Sequence, residues 1–262
     1  MYSKNKAFVK LSDLKTRCFT VNSGIQQGSK LGPLLFNIFI NDLMTGLKSK
    51  FPGVKLGTGE CLVGLLYADD LTIFSESACE LKKILAFCER WAKENRMLFN
   101  TGKSKVLIFF PRKHAYIFRL GAKQLSVEFE YKYLGILYNR RGGHKTHFQS
   151  MFQKARRALA AIKILGFTQD GLRPTTAIKL YKLMVRPHFE FGAQFLTYNK
   201  NLVGKIELFQ RSSIRALLGL GRSVKSQIVN LIAGIEPFEA RIDILKGRYF
   251  ENVSHHKKNS HV

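Results

Sequence analysis

The sequence is poor in the patterns that mark exported, membrane-spanning or zinc-finger proteins. Its four cysteines are Cys18, Cys61, Cys79 and Cys88, and none forms a C-x-x-C pair or lies at a zinc-finger interval from histidine. No apolar run is long enough to cross a bilayer, and the basic, polar start lacks the apolar segment of a secretory leader. We therefore expect reduced core cysteines and a nuclear or cytoplasmic protein that is neither secreted nor membrane-spanning.

Acidic residues are also scarce. The chain has 43 Lys and Arg against 18 Asp and Glu, which gives a net charge of +25. An excess of this size favours a polyanionic partner, and nucleic acid fits best. An anionic membrane surface is the weaker alternative, because the basic residues are dispersed rather than gathered in one block. Residues 132–262 hold 23 basic and 7 acidic residues, so this half is the stronger candidate for the surface that grips a nucleic-acid backbone.

Against this shortage of acids, Asp69 and Asp70 stand side by side between two apolar, β-prone runs. Carboxylates next to hydrophobic strands are costly to desolvate unless they are paired or hold a cation. Neighbouring side chains of a straight strand point to opposite faces, so both acids can approach one site only where the chain bends. We therefore predict a hairpin tip at residues 67–71 that binds metal; a surface Asp-Asp turn without function is the alternative.

The hydrophobic pattern predicts an α+β chain. A hairpin at 7–11 and 16–22 is followed by a polar loop and by a mostly buried helix that begins near Pro33. The pair Ser77 and Glu80 has the spacing of a capping box before an amphipathic helix. Further strands are predicted at 105–110, 115–120, 125–130 and 132–138, and helices at 145–165, 174–186, 202–219 and 237–249. The change of period places a domain boundary after residue 142, with domains 1–142 and 143–262.

Several segments, in this order, resemble the reverse transcriptase of non-LTR (LINE-type, jockey-like) retrotransposons. Residues 23–42 are similar to the family's S-G-V-P-Q-G-S-x-L-G-P-L-L-F-x-x-x-I-N-D segment, and Tyr67-Ala-Asp-Asp70 matches its Y/F-A-D-D hairpin. Residues 91–109 resemble its helix-turn-strand element, and Tyr133-Leu-Gly-Ile136 resembles the strand that follows. Residues 180–192 are similar to the downstream L-Y-x-x-x-V-R-P-x-x-x-Y-G stretch.

The resemblance implies a partial polymerase palm in residues 1–142, a helical thumb-like region in 143–262, and RNA-directed DNA synthesis by the two-metal mechanism. It implies Mg²⁺ as cofactor, with Mn²⁺ as an alternative, and as partners an RNA template, a DNA primer or hybrid, and deoxynucleoside triphosphates, without a membrane. Asp69 and Asp70 match the catalytic, metal-binding residues. The residues that match the template and nucleotide pocket are Gly24, Gln27, Gly28, Tyr67 and Lys103.

Two of these assignments carry alternatives, and the sequence departs from the family pattern at one position of the loop. Lys105 is an alternative to Lys103 as the cation near the triphosphate, and Tyr67 is alternatively a core aromatic residue with a satisfied hydroxyl group. Gln26 stands where the family usually has proline, which removes a fixed φ angle from the loop. His144 and His147 have helical spacing but no acidic or cysteine partner, so we interpret them as a solvated helix face.

A further metal-binding aspartate, which the family carries upstream in an F-x-x-x-D-x-x-x-A-F-D context, has no match in this sequence, and the surroundings of Asp13 do not fit it. We therefore expect a partial reverse transcriptase that lacks the fingers and the first aspartate motif, with little or no activity by itself. The alternatives are a non-catalytic nucleic-acid-binding remnant and an unrelated metal-dependent nuclease or cyclase. The oligomeric state is left open.

Overall fold

The computed structural model describes residues 5–21, 24, 28–110, 116–166, 171–221 and 223–259 of the chain. The chain divides into two compact units, one formed by Met1–Val106 with Lys113–Glu128 and the other by Leu107–Arg112 with Phe129–Val262. Helices and small antiparallel sheets occur together, so the predicted α+β class is confirmed. The domain boundary predicted after residue 142 from the change of hydrophobic period stays a prediction.

The strands are short. In chain order they are β1 (Asn5–Ala7), β2 (Lys10–Leu11), β3 (Leu14–Lys15), β4 (Phe19–Val21), β5 (Val54–Lys55), β6 (Cys61–Leu62), β7 (Gly64–Tyr67), β8 (Asp70–Ile73), β9 (Lys105–Leu107), β10 (Phe118–Leu120), β11 (Lys123–Glu128), β12 (Glu130–Tyr133) and β13 (Ile136–Asn139). The described residues form two-stranded sheets β1-β4, β2-β3, β5-β6, β7-β8 and β12-β13 and a three-stranded sheet in the order β10-β11-β9.

The helices are α1 (Gly32–Lys50), α2 (Ala78–Glu94), α3 (Lys145–Gly166), α4 (Pro174–Leu180), α5 (Pro187–Glu190), α6 (Lys200–Leu218), α7 (Ser226–Ile232) and α8 (Phe238–Asn259). A π-helical turn at Tyr181–Val185 joins α4 to α5. Helix α7 was not predicted, and α8 continues well beyond the predicted end at residue 249. A single strand predicted over 132–138 is also wrong, because Leu134 and Gly135 adopt positive φ angles of 45° and 86° and turn the chain from β12 into β13.

The core of the first unit lies between α1, α2 and the β7-β8 hairpin. Helix α1 buries Leu43 and Leu47 against this core. On its other side Leu34 is 56% exposed and Ile38 is 62% exposed, so the prediction of a mostly buried helix is wrong. Its apolar positions extend around more of the circumference than the described neighbouring elements cover.

Helix α2 agrees with its sequence pattern. Ser77 caps it, since the hydroxyl group accepts a hydrogen bond of 3.1 Å from the backbone N–H of Glu80. The carboxylate of Glu80 does not close a reciprocal capping box but accepts hydrogen bonds from the backbone N–H of Gly53 (3.1 Å) and the hydroxyl of Ser75 (2.7 Å). Glu80 therefore ties the segment after α1 to the end of the β7-β8 hairpin.

The cysteines do not share one environment. Cys88 lies in the core beside Ile84, and burial raises the pKa of its thiol to about 12, with a smaller opposing effect from a backbone hydrogen bond. Cys18, Cys61 and Cys79 are exposed and form no disulfide, so the expectation of core cysteines is wrong for these three.

Gly53 is the position of the first unit that tolerates a side chain least. Its φ angle is 71°, and a Cβ atom there would lie 2.3 Å from the carbonyl oxygen of Leu62. We expect Gly53→Ala to lower the free energy of unfolding by at least about 2 kcal/mol, because left-handed strain and a backbone clash act together. Urea denaturation measures this loss; the matched control is Gly59→Ala, at a φ angle of 88° with nothing within 4 Å of the added atom. Equal losses in both variants would contradict the clash.

The second unit is built from α3 to α8 around a core that includes Tyr181, Val185 and Phe189. These residues belong to the segment 180–192 that resembled the family, and its Arg186 is buried as well, at 5% exposure. Pro187 has no N–H group for a helical bond, and the N–H of Arg186 instead donates to the carbonyl of Tyr181, five residues back, at 3.0 Å. The predicted helix at 174–186 is therefore an α-helix that widens into a π-helical turn.

Arg186 is one of four charged side chains that form a cluster in the second unit. It forms ion pairs with Glu190 (2.8 Å) and with Glu236 (3.1 Å), and Arg241 pairs with the same two acids at 2.9 Å and 3.4 Å. The contact of Arg186 Nε with Glu190 is an ion pair by distance without hydrogen-bond geometry. Partial burial raises the pKa of Glu236, but hydrogen bonds and the charges of Arg186 and Arg241 outweigh it and hold this pKa below its ordinary value.

His147 is buried at 4% exposure, so the interpretation of His144 and His147 as a solvated face is wrong for this residue. Its Nδ1 accepts a hydrogen bond of 3.3 Å from the backbone N–H of Leu137. Burial is the main cause that lowers its pKa, and the charges of His144, Lys154 and Lys132 lower it further. The histidine therefore packs as a neutral group that links α3 to β13.

This lowered pKa predicts acid destabilisation of the second unit. The unfolded chain binds the proton at the ordinary histidine pKa of about 6.5, whereas the folded chain binds it only at lower pH. The stability that the neutral His147 contributes is therefore fully present above this pKa. It is lost progressively as the pH falls from this value to the lower pKa of the folded chain. We expect His147→Gln, which keeps an acceptor but cannot titrate, to flatten the dependence of the urea midpoint on pH between about 7.5 and 5.5. The exposed His255→Gln control should keep the slope; an unchanged slope in His147→Gln would contradict the assignment.

Candidate active site

The two adjacent aspartates lie at the tip of the β7-β8 hairpin. The strands pair antiparallel from Gly64 with Ile73 to Tyr67 with Asp70, so that Ala68 and Asp69 form a two-residue turn. Ala68 has a φ angle of 52°, a conformation that glycine usually supplies in such turns and that costs alanine roughly 1 kcal/mol. The hairpin tip predicted at residues 67–71 is thus present, with backbone strain directly beside the acids.

Both carboxylates are exposed. The cost of desolvating them, on which the prediction of a metal site was based, therefore does not apply. In the described part of the chain, no ion pair or side-chain hydrogen bond engages Asp69 or Asp70. Exposure by itself also suits the alternative of a surface turn. It equally leaves the oxygen atoms accessible to a hydrated divalent ion and to the phosphates of a substrate.

The hairpin presents one face to the core and one to solvent. Leu66, Leu71 and Ile73 pack against the core that α1 contributes to, and a Cβ atom at Gly64 would lie 2.8 Å from the carbonyl oxygen of Thr72. On the opposite face Tyr67 is 64% exposed. The alternative of a core tyrosine is therefore wrong, while a role next to the reacting groups stays a prediction.

The glycines of the loop before α1 have a backbone reason to be glycine. Gly24 and Gly28 have φ angles of 95° and 82°, and nothing lies within 4 Å of a Cβ atom at either position. The positive φ angles, rather than crowding inside the protein, thus favour glycine here. Gln27, predicted to face the template and nucleotide, lies outside the described residues, as does Gln26.

The two candidate lysines differ in their surroundings. Lys103 lies in the turn before β9, and its backbone N–H donates to the side-chain oxygen of Asn100 at 3.1 Å. The amino group of Lys105 donates to the hydroxyl of Ser126 at 2.9 Å and lies 3.6 Å from the carboxylate of Glu128. Lys105 is therefore held on β11, and the choice between the two lysines as the cation near a triphosphate stays a prediction.

The structure brings Tyr67, Asp69 and Asp70 together on one turn, and it places Gly24, Gly28 and Lys103 in the same compact unit. Among the residues it describes, no group of three or more histidine, cysteine, aspartate or glutamate side chains is arranged to hold a metal ion. Two exposed neighbouring carboxylates fit a divalent cation as part of a ligand set, because Mg²⁺ retains waters and takes further oxygens from phosphates. They do not complete a two-metal site alone.

Sequence reasoning missed two features. The glutamate of the capping box, Glu80, fixes the base of the hairpin, and the only signal was its spacing from Ser77. Lys145 and Lys205 line a cavity of the second unit, and nothing in the sequence separates them from the other basic residues.

Over the residues described, none of the helices is long and apolar enough for a membrane span.

Comparison with known proteins gives a consistent result. Residues 3–166 match the family described as reverse transcriptase (RNA-dependent DNA polymerase). The chain is 24% identical over 244 residues to the RNA-directed DNA polymerase from mobile element jockey of Drosophila funebris, which covers 90% of this chain and 26% of that protein. It is 24% identical over 249 residues to a probable RNA-directed DNA polymerase from transposon X-element of Drosophila melanogaster, covering 90% of this chain and 26% of that protein.

A third relative is the retrovirus-related Pol polyprotein from type-1 retrotransposable element R2 of Nasonia vitripennis. The identity is 27% over an alignment of 265 positions, which covers 95% of this chain and 25% of that protein. The chain thus spans about a quarter of the length of these curated relatives.

Proposed function

Since the chain belongs to the reverse transcriptase (RNA-dependent DNA polymerase) family, we propose that it forms part of a retrotransposon polymerase that copies RNA into DNA. The observation that carries the proposal is the strained Tyr67–Asp70 turn, whose two exposed carboxylates lie within the residues that match the family. The family generally uses divalent metal ions. For this chain we propose Mg²⁺, for which Mn²⁺ can substitute.

Asp69 is the proposed principal metal ligand, and Asp70 the weaker partner beside it. In nucleotidyl transfer, two divalent ions lower the barrier by stabilising the attacking and leaving oxygens. What this chain supplies is the position of the carboxylates: hairpin pairing and the packing of Leu66 and Leu71 fix the turn, and exposure leaves the oxygens open. The two carboxylates provide the negative charge and the oxygen ligands that would hold the ions next to phosphates.

The remaining roles are proposals of the same kind. Gly24, Gln27 and Gly28 shape the pocket for template and incoming deoxynucleoside triphosphate, Tyr67 lies near the primer end, and Lys103 meets the triphosphate. Residues 1–142 act as a palm and 143–262 as a thumb-like region that grips an RNA template with a DNA primer or hybrid. The net charge of +25 supports such a partner. Nuclear or cytoplasmic residence fits this role.

The proposed function is tested with a replacement chimera. Residues of this chain replace the matching segment of the jockey polymerase of Drosophila funebris, and primer extension on an RNA template is measured with each divalent ion in turn. We expect template-dependent incorporation of deoxynucleotides that stops when the metal is chelated. Cleavage of the substrate without incorporation would instead indicate a nuclease and contradict the proposal.

The isolated chain, assayed in parallel, is expected to incorporate little or nothing. Within its described residues the two carboxylates have no third acid to complete the ligand set. Circular dichroism is to check that the isolated chain is folded, and a titration with Mn²⁺ followed by water-proton relaxation is to measure metal binding. Asp69-dependent synthesis by the isolated chain would contradict the requirement for a further carboxylate.

A further inference from the structure

The second unit contains an open cavity that lies between the beginning of α3 and the segment leading into α6. It has a volume of about 660 Å³. Its lining residues are Gly142, Gly143, His144, Lys145, Phe148, Gln149, Phe152, Thr197, Asn199, Asn201, Leu202 and Lys205. Ligand pockets for molecules of nucleotide size fall within about 300–1,000 Å³, so the cavity has the capacity for one such unit.

The charges around the cavity have one sign. Lys145 from α3 and Lys205 from α6 are exposed, and the described residues that line the cavity include no aspartate or glutamate. The first-turn N–H groups of α3, a 22-residue helix, add positive potential on the same side. An anionic group entering the cavity is therefore attracted by two ammonium groups without an opposing carboxylate.

The inner side of the cavity is aromatic and polar. The ring of Phe148 packs 5.5 Å from that of Tyr198 and the ring of Phe152 packs 5.1 Å from that of Phe189, so both are held by neighbours while they line the cavity. Gln149 and Asn201 add amide groups that donate and accept hydrogen bonds. A bare anion would use only the lysines, whereas a ligand with an anionic end and a flat ring would use both parts.

We propose that this cavity binds one nucleotide unit of a nucleic-acid strand, with the phosphate beside Lys145 and Lys205 and the base against Phe148 and Phe152. A phosphodiester supplies the negative charge, and every base offers a flat face, so the site is indifferent to sequence. The proposal concerns a different site from the Asp69 turn. It holds whether or not that turn supports polymerisation, because binding is measured without a divalent cation.

The test uses the full chain and a short fluorescein-labelled oligouridylate, with binding followed by anisotropy at several salt concentrations. One neutralised phosphate of a single strand contributes a salt slope of about 0.7, so removing both lysines should weaken binding roughly fivefold at about 0.1 M salt and lower the slope by about 0.7. Each single variant, Lys145→Gln or Lys205→Gln, should show a part of this loss that exceeds the effect of its control. The matched control is Lys179→Gln, an exposed lysine of the same unit outside the cavity lining. The control carries the same charge loss.

A charge reversal distinguishes the cavity from general electrostatics. Gln149→Glu places a carboxylate in the cavity at an exposed helical position that tolerates glutamate, and Gln227→Glu makes the same change at an exposed position of α7 outside the lining. We expect Gln149→Glu to weaken binding at least as strongly as a lysine variant and Gln227→Glu to change it by less than about twofold. Circular dichroism is to check that each variant is folded.

Three results would overturn the proposal. Lining variants that bind no worse than their controls would show that the cavity is not used. Uridine monophosphate that displaces the oligonucleotide at an equal concentration would assign the cavity to free nucleotides rather than to a strand. An acidic peptide that binds as tightly as the oligonucleotide, with the same loss in Gln149→Glu, would assign it to protein. Salt-dependent oligonucleotide binding that is weakened only by the lining variants supports it.

Discussion

Replacing Asp69 by asparagine in the replacement chimera should reduce nucleotide incorporation by about a thousandfold, which corresponds to a loss of roughly 4 kcal/mol of transition-state stabilisation. Asparagine has nearly the same shape and suits an exposed hairpin turn, so the fold is retained while the ligand loses its charge. Primer extension under single-turnover conditions measures the effect, because it isolates the chemical step from product release. Asp70→Asn should reduce incorporation less, because Asp70 is the proposed weaker partner.

The control for this prediction is Asp13→Asn. Asp13 is also an exposed turn aspartate of the first unit, next to Ser12 with a φ angle of 53°, but it does not match the family motif. It should leave incorporation within about twofold of the starting activity. Raising the Mn²⁺ concentration should partly restore Asp69→Asn if the lost function is metal binding. Equal activity of Asp69→Asn and Asp13→Asn would remove the Tyr67–Asp70 turn from the catalytic site.

The second large effect is on stability. Arg186→Met should lower the free energy of unfolding by about 3–5 kcal/mol, since removal of one member of a buried ion pair leaves partly buried charge uncompensated. The arginine side chain is 6% exposed and forms ion pairs with Glu190 and Glu236. In the variant, both glutamates would share Arg241 as their remaining ion-pair partner. Methionine approximates the length of the arginine stem, so the loss of packing is limited. Urea denaturation monitored by far-UV circular dichroism measures the change.

Arg157→Met on α3 is the matched control, because the same substitution is made at an exposed helical position of the same unit. It should change the free energy of unfolding by less than about 0.5 kcal/mol. In the double variant that also carries Glu236→Gln, the loss should be smaller than in Arg186→Met, because Arg241 and Glu190 remain as a balanced pair. A loss in Arg186→Met no greater than in the control would show that the charged cluster does not stabilise the unit.

The burial of Arg186 changes the interpretation of residues 180–192, the segment that resembles the downstream stretch of the family. Arg186 within residues 180–192 carries a positive charge in a strongly basic half of the chain, which by itself suggests a phosphate contact. Its burial and its pairing with two glutamates assign it to the interior instead. The basic groups that remain available to a nucleic acid are exposed ones such as Lys145 and Lys205.

Local patterns were predictable where the chemistry is local. Helix α2 followed from its periodic apolar residues and from Ser77, since the 3.6-residue period and a side-chain cap are encoded within a few positions. The turn at Ala68 and Asp69 followed from two acids between apolar strands. By contrast, the hairpin at Leu134 and Gly135 was taken for a strand because a short turn with one glycine is hard to separate from an apolar run.

Burial was predicted less well. The apolar residues of α1, the buried His147 and the exposed cysteines each departed from expectation, because burial depends on which elements pack on a side chain. A periodic pattern specifies that a face is apolar and leaves open whether a neighbour covers it. The same holds for charge, because the sequence alone does not distinguish Arg186, which lies in an ion-pair cluster, from an exposed arginine.

The sequence by itself determined the family, the α+β class and the identity of the residues at the hairpin tip, because motif order and local turn chemistry are written along the chain. Only the tertiary structure decided which of these groups are exposed, that Lys105 is held by Glu128 and Arg186 by Glu190, and that two distant lysines line one cavity. The physical reason is that electrostatic pairing and desolvation act between side chains brought together through space, whereas sequence patterns report only neighbours along the backbone.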